Sequence, residues 1–351
     1  MNRKMRTILP ITLPFLSCLL LLPACTEENR DGILSAPGWE PLRIASIAMD
    51  GSATPRGIIE KVGKGTGELS SIGVYAAYSD GAEYKPAHGS NTDIYQYDGS
   101  QWSTTATPFD AVLRLPTGTG APGVTAYAWH PSDLTPVYQS NGGSHVTGVD
   151  IPNQIIFDAA NQNDYLYATP ASVQAGTAAS FTMNHALLKL TCKIYKSSSL
   201  TEEIHLTSLS ITERNNNWLT GQGSMRLANG ELSGLTNTSK LVITAGDASQ
   251  GYTPKVVVVP DTQDNPATVH CLLAPTSVTG LRFELEAKSS VQTYSFQSNF
   301  VTPGKLEGNK GEHIIVTIKL DGMDAKVTGI SVYKWEPYSD TYIPVTPEPE
   351  T

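Results

Sequence analysis

The chain is poor in charge, in cysteine and in helical periodicity. Only 16% of its 351 residues are charged, 8% are aromatic, and there are four cysteines. Amphipathic repeats at helical spacing are nearly absent, which excludes bundles and coiled coils. Past residue 6 Lys and Arg gather nowhere and the formal charge is −9; an acidic chain without a basic stripe is a poor partner for nucleic acid. One long apolar run occurs, at residues 8–22, but Pro10 and Pro14 interrupt it and it is short for a bilayer span. The HExxH and GxSxG patterns of metalloproteases and serine hydrolases are missing. Gly118-Thr119-Gly120-Ala121-Pro122-Gly123 spells the dinucleotide fingerprint. That motif needs a helix after it, and here a strand-like run with Tyr127 and Trp129 follows, so a flexible loop is expected.

Metal chemistry is equally thin. The histidines are scattered. His185 beside Asn184 and His130 before Pro131 read as structural. His270 and Cys271 are neighbours in one strand, point to opposite faces and cannot share a metal directly. Asp261, Asp264 and Asn265 form an acidic loop whose spacing fits no EF-hand. No catalytic residue, cofactor or metal site can be named, and the chain is expected not to be an enzyme.

What is present is strand and turn. Runs rich in Val, Ile, Thr and Tyr recur between clusters of Gly, Pro, Asn, Asp and Ser, with 30 Gly and 23 Pro in all, which points to an all-β class. Residues 1–24 have the form of a bacterial export leader, with Arg3, Lys4 and Arg6 before the apolar run. Leu22-Pro23-Ala24-Cys25 resembles a lipobox, so Cys25 is the expected acylation site and residues 25–41 a polar tether. Acyl chains contribute about 0.8 kcal/mol per buried CH₂, enough in a multiply acylated residue to hold the chain on a membrane. Cys192 and Cys271 remain, both on the apolar phase of strand-like runs; two buried thiols or one disulfide are open to them.

Residues 42–49 (LRIASIAM) read as a strand with imperfect alternation, since Ile44 and Ile47 fall on opposite phases. A first domain is expected over 42–175, with Asp98-Gly99 marking a hairpin and His130-Pro131 a strand end. A second is expected over 176–322. There Leu188, Leu190, Cys192 and Ile194 alternate with Lys189, Thr191 and Lys193, and Leu281, Phe283, Leu285 and Ala287 repeat the device, as in sandwiches with one wet face. Residues 256–259 are apolar on both phases and suggest a doubly covered strand. An apolar run at 327–335 opens a C-terminal appendage, 323–351. Tyr75, Tyr78, Tyr95, Tyr97 and Trp102 would either pack across a sheet or form a glycan-binding face; packing is the expectation.

Several stretches together resemble the fimbrillin family, pilus subunits of Bacteroides-type bacteria. They are the lipobox, Ile72-Gly73-Val74-Tyr75-Ala76, Tyr97-Asp98-Gly99-Ser100-Gln101-Trp102, Ala126-Tyr127-Ala128-Trp129-His130-Pro131, Asp164-Tyr165-Leu166-Tyr167-Ala168, the run from Phe181 to Leu190, and Pro303-Gly304-Lys305. The resemblance implies two transthyretin-like Greek-key β-sandwich domains in tandem and no enzymatic activity. It implies export as an outer-membrane lipoprotein through Cys25 and the lipoprotein-processing enzymes, then cutting by an arginine-specific surface protease. Arg56 in Thr54-Pro55-Arg56-Gly57 best matches the cleavage site, with Arg43 and Arg30 as alternatives; Pro55 departs from the pattern. The strand lost would carry Leu42, Ile44, Ile47 and Met49. A donated C-terminal strand with Val327, Ile330, Val332, Tyr333 and Trp335 would fill the place in another copy or a related subunit. A surface glycan-binding lipoprotein and a tip or anchor subunit are the alternatives.

Overall fold

Ile, Val, Thr and Tyr in two-residue alternation, punctuated by Gly, Pro and Asx turns, leave the backbone few choices but sheet. In the computed structural model the described residues are strands and turns, with no α-helix among them. Those residues are 38–334 apart from 51–58, 60, 66, 107–110, 158–161, 216–218, 237–238, 278–279 and 302–306.

The first large sheet runs in the order Ile44–Met49, Ala179–His185, Leu166–Ala168, Val124–His130, Ser71–Tyr78, Thr92–Tyr97, Trp102–Thr104. Facing it, Trp39–Pro41 pairs antiparallel with Arg114–Pro116. Leu69, Ile72, Val74, Leu113, Leu115 and Phe181 fill the core between them. The second sheet runs Lys240–Thr244, Ile204–Glu213, Leu281–Lys288, Thr293–Gln297, Asp324–Lys334, Glu312–Asp321, Leu188–Lys196, Ala267–Leu273. Among the described residues its two halves meet through the single pair Gln297 and Asp324, and it folds over onto itself around Leu190, Ile211, Phe283, Phe296 and Val316. The protein is all-β, with two sandwiches in tandem. Between them Thr135–Val137, His145–Ile151, Gly221–Arg226 and Leu232–Ser233 form a smaller sheet over a junction cluster that includes Trp129, Tyr165, Leu187 and Leu272.

Local signals fared well. Thr92–Tyr97 and Trp102–Thr104 form the expected hairpin, and the Asp98 carboxylate accepts from the Ser100 and Gln101 amides at 2.7 and 2.8 Å. The strand Val124–His130 stops before Pro131. Cys192 and Cys271 are free, buried thiols, pushed well above the usual range by burial.

Other expectations need correction. Ala179–His185 pairs within the first sheet, so the division placed at 175 falls before a strand that belongs to the first sandwich. Trp39–Pro41, read as tether, is already strand. Strand Leu188–Lys196 is not wet on its outer phase: Lys189 and Thr191 are buried as well. The Thr191 hydroxyl is held between His270 Nδ1 at 2.9 Å and His313 Nε2 at 2.7 Å from the flanking strands. Val257–Val259 is covered on one face only; Val258 is exposed, because the strand pairs just with Ile204, His205 and Leu206.

Candidate functional site

Residues 39–49 cross from one face of the first sandwich to the other. Trp39–Pro41 lies on the Arg114–Pro116 side, and Ile44–Met49, called here the entry strand, lies parallel to Ala179–His185 at the margin of the large sheet. The crossing is fastened at its middle: Leu42 N–H donates to Leu113 O at 2.9 Å, and Tyr95 Oη donates to Leu42 O at 2.8 Å. Asp50 N–H donates to Met183 O at 2.8 Å and closes the ladder.

The entry strand's odd pattern has a physical cause. Ala179 is opposite Ile44 and Ser180 opposite Ser46, so Ala45 is an extra residue. Such a bulge shifts the phase by one. Ile44 and Ile47 therefore both face inward, and with Leu42 they are buried in the first core while Met49 packs partly against it. Removing these side chains forfeits about 1.5–3 kcal/mol apiece as an upper estimate and uncovers the edge of Ala179–His185.

Of the candidate cleavage residues, Arg56 and Arg30 lie outside the described residues, as does Cys25. Arg43 is exposed, but its carbonyl accepts from Ala179 N–H at 2.8 Å, inside the ladder that a protease would have to open. Beyond the 51–58 stretch, Ile59 N–H donates to Asp164 Oδ2 at 3.1 Å, and that carboxylate meets His185 Nδ1 at 3.0 Å. Ile59, Asp164 and His185 are all buried. The sequence names His185 as structural but gives no sign of this clamp, whose members are far apart in the chain.

Val327, Ile330, Val332 and Tyr333 lie in Asp324–Lys334, called here the closing strand; Trp335 is outside the described residues. The closing strand has a partner within its own chain, pairing antiparallel with Glu312–Asp321 over its whole length. Among the described residues its other edge pairs only through Asp324 with Gln297. Ala325 and Ile330 are buried in the second core, and Val327 and Val332 pack partly against it.

The five aromatic residues named for a glycan-binding face form no outward platform. Tyr75, Tyr95 and Trp102 are buried, and Tyr78 and Tyr97 pack against the first core. Gly118 and residues 120–123 line an open cavity of about 660 Å³ beside Glu40 and residues 172–179, and a strand follows rather than a helix. Among the described residues no three His, Cys, Asp or Glu converge as a metal site.

The profile of the fimbrillin-like family matches residues 63–335. The chain belongs to the fimbrillin-like family. Membership makes this fimbrillin-like chain a structural protein rather than an enzyme. Its fold is similar to that of a protein from Bacteroides ovatus put forward as a cell adhesion protein, with 17% identity, a TM-score of 0.55, and coverage of 86% of this chain and 99% of that one. It is also similar to a fimbrial protein from Bacteroides vulgatus, with 13% identity, a TM-score of 0.52, and coverage of 75% and 92%. At such identities the likeness is one of fold. No curated protein matches the chain.

Proposed function

We propose that this chain is a structural subunit of a cell-surface fimbrium that supports adhesion. On this reading it leaves the cell as a lipoprotein acylated at Cys25. An arginine-specific protease then cuts at Arg56 and releases residues 39–49 with the tether. The vacated slot in the first sandwich is refilled by residues 327–335 of another subunit. The observation that carries the reading is the position of the entry strand. It sits at the margin of its sheet, contributes Ile44 and Ile47 to the core beside Leu42 just before it, and leads directly into the stretch that holds Arg56.

The physics is that of strand addition to an open sheet edge, where main-chain bonds supply affinity and side-chain pockets supply selectivity. Slot and donor are different surfaces of one chain, so the contact is head-to-tail and extends into filaments. Before the cut the chain's own strand occupies the slot, which suppresses early assembly. The glycan-binding alternative loses support, because Tyr75, Tyr95 and Trp102 are buried and Tyr78 and Tyr97 pack against the core.

The test is to treat the full chain with an arginine-specific protease, sequence the new N-terminus and run the product unboiled in SDS. A start at Gly57 and a ladder of SDS-resistant oligomers are expected. A processed chain that remains strictly monomeric would overturn the reading.

A further inference from the structure

The entry strand and the closing strand share a pattern that neither shares with an ordinary alternating strand. The entry strand and the two residues before it present Leu42, Ile44, Ile47 and Met49 to the first core, with Ala45 as the extra residue of its bulge. The closing strand presents Ala325, Val327, Ile330 and Val332 to the second core. Its pairing with Glu312–Asp321 sets Gly329 opposite Thr317 and Val327 opposite Ile318, so Thr328 is the extra residue of a bulge there. The inward spacing is the same in both, and Ala45 and Thr328 hold the same place within it.

Placed one over the other in the same direction, the two segments agree residue by residue. LRIASIAM of residues 42–49 lies over AKVTGISV of residues 325–332. Arg43 matches Lys326, both exposed. Ile44 matches Val327, Ala45 matches Thr328, Ser46 matches Gly329, Ile47 matches Ile330, Ala48 matches Ser331, and Met49 matches Val332. A one-residue slip would send every later side chain to the wrong face, so a bulge at the shared position is a strong constraint on register.

We infer that the closing strand of a second copy enters the vacated slot in the direction of the entry strand, parallel to Ala179–His185. Its bulge at Thr328 then falls where Ala45 was, with Val327 and Ile330 in the seats of Ile44 and Ile47. This rests on the strand-donation reading above and adds to it the direction and register of the donor. Three of the four seats in the slot are buried, against two of four on the donor's own sheet, so transfer deepens burial for Val327. Ala325 is smaller than Leu42, so the substitute fills its seat less completely. The chain's own strand is thus the better occupant for as long as it remains attached. The later apolar segment at 342–345 is a poorer donor, because Pro344 has no N–H to give to a ladder.

Cysteine pairs test direction and register together. Thr182 is opposite Ala48 in the entry ladder, and both are exposed. Copies carrying Thr182→Cys are mixed with copies carrying Ser331→Cys, cleaved by the arginine-specific protease, allowed to assemble and oxidised. A 182–331 disulfide between copies is expected. Filaments linked instead through Thr182→Cys and Lys326→Cys would mean the opposite direction, and filaments linked through neither would mean another donor. Either result overturns the inference and leaves strand donation standing, whereas a cleaved chain that forms no filaments sinks both.

A peptide of residues 324–334 supplies the second measurement, free of any effect on the donor's own fold. It should bind the cleaved chain, and the same peptide without Thr328 should bind roughly tenfold more weakly or worse, a loss of about 1.4 kcal/mol. Equal binding of the two peptides would overturn the register.

Discussion

Thr191 lies between two imidazoles, yet a hydroxyl can donate only once, so one ring accepts from it and the other donates to it. Burial, reinforced by the positive charges of Lys189, His270 and Lys193, lowers His313 from 6.5 to about 3. A base whose folded pKa is depressed adds stability above its unfolded pKa and loses it as pH falls toward the folded value. The native chain should therefore weaken between about pH 6.5 and pH 3. His313→Gln should flatten that decline, and urea midpoints at pH 7 and pH 4 compare the two. At this scale the sequence shows the inward residues Leu190, Cys192 and Ile194, because alternation is local. It does not show that Lys189 and Thr191 are covered, because the covering groups come from strands about 80 and 120 residues away.

The entry strand shows how one inserted residue decides an element. Ile44 and Ile47 share a face only because Ala45 bulges. Deleting Ala45 from the uncleaved chain should turn one of the two isoleucines outward and cost about 2–4 kcal/mol, the range of a large-to-small core change. The exposed Ala48→Ser should stay within about 0.5 kcal/mol. Chemical denaturation of both variants checks the contrast. The sequence marks residues 42–49 as a strand with a fault in its alternation, while the fault's meaning lies in the pairing with Ala179–His185, more than a hundred residues on. The Asp98 turn was legible for the opposite reason, since its donors and acceptor lie within four residues.

At the scale of the molecule, alternation in the second half pointed to a sandwich and the family resemblance to two in tandem, while the junction between them was not readable. His145–Ile151 and Gly221–Arg226 pair across the two halves, and neither carries a signal for its partner. The same fold sets a prediction for the maturation proposed above. Cleavage and release of residues 39–49 should uncover the apolar slot of the first sandwich, so a dye that fluoresces on apolar surface should brighten with the cleaved monomer and dim as filaments form. A signal unchanged by cleavage would show that the slot closes by itself.

The clamp of Ile59 on Asp164, braced by His185, bears on what would follow the proposed cut at Arg56. A protease acting within residues 51–58 creates a loose end, and loose ends usually unravel inward. Here the chain is stitched down at the first described residue past that stretch, so trimming can proceed without the hem of the first sandwich coming undone.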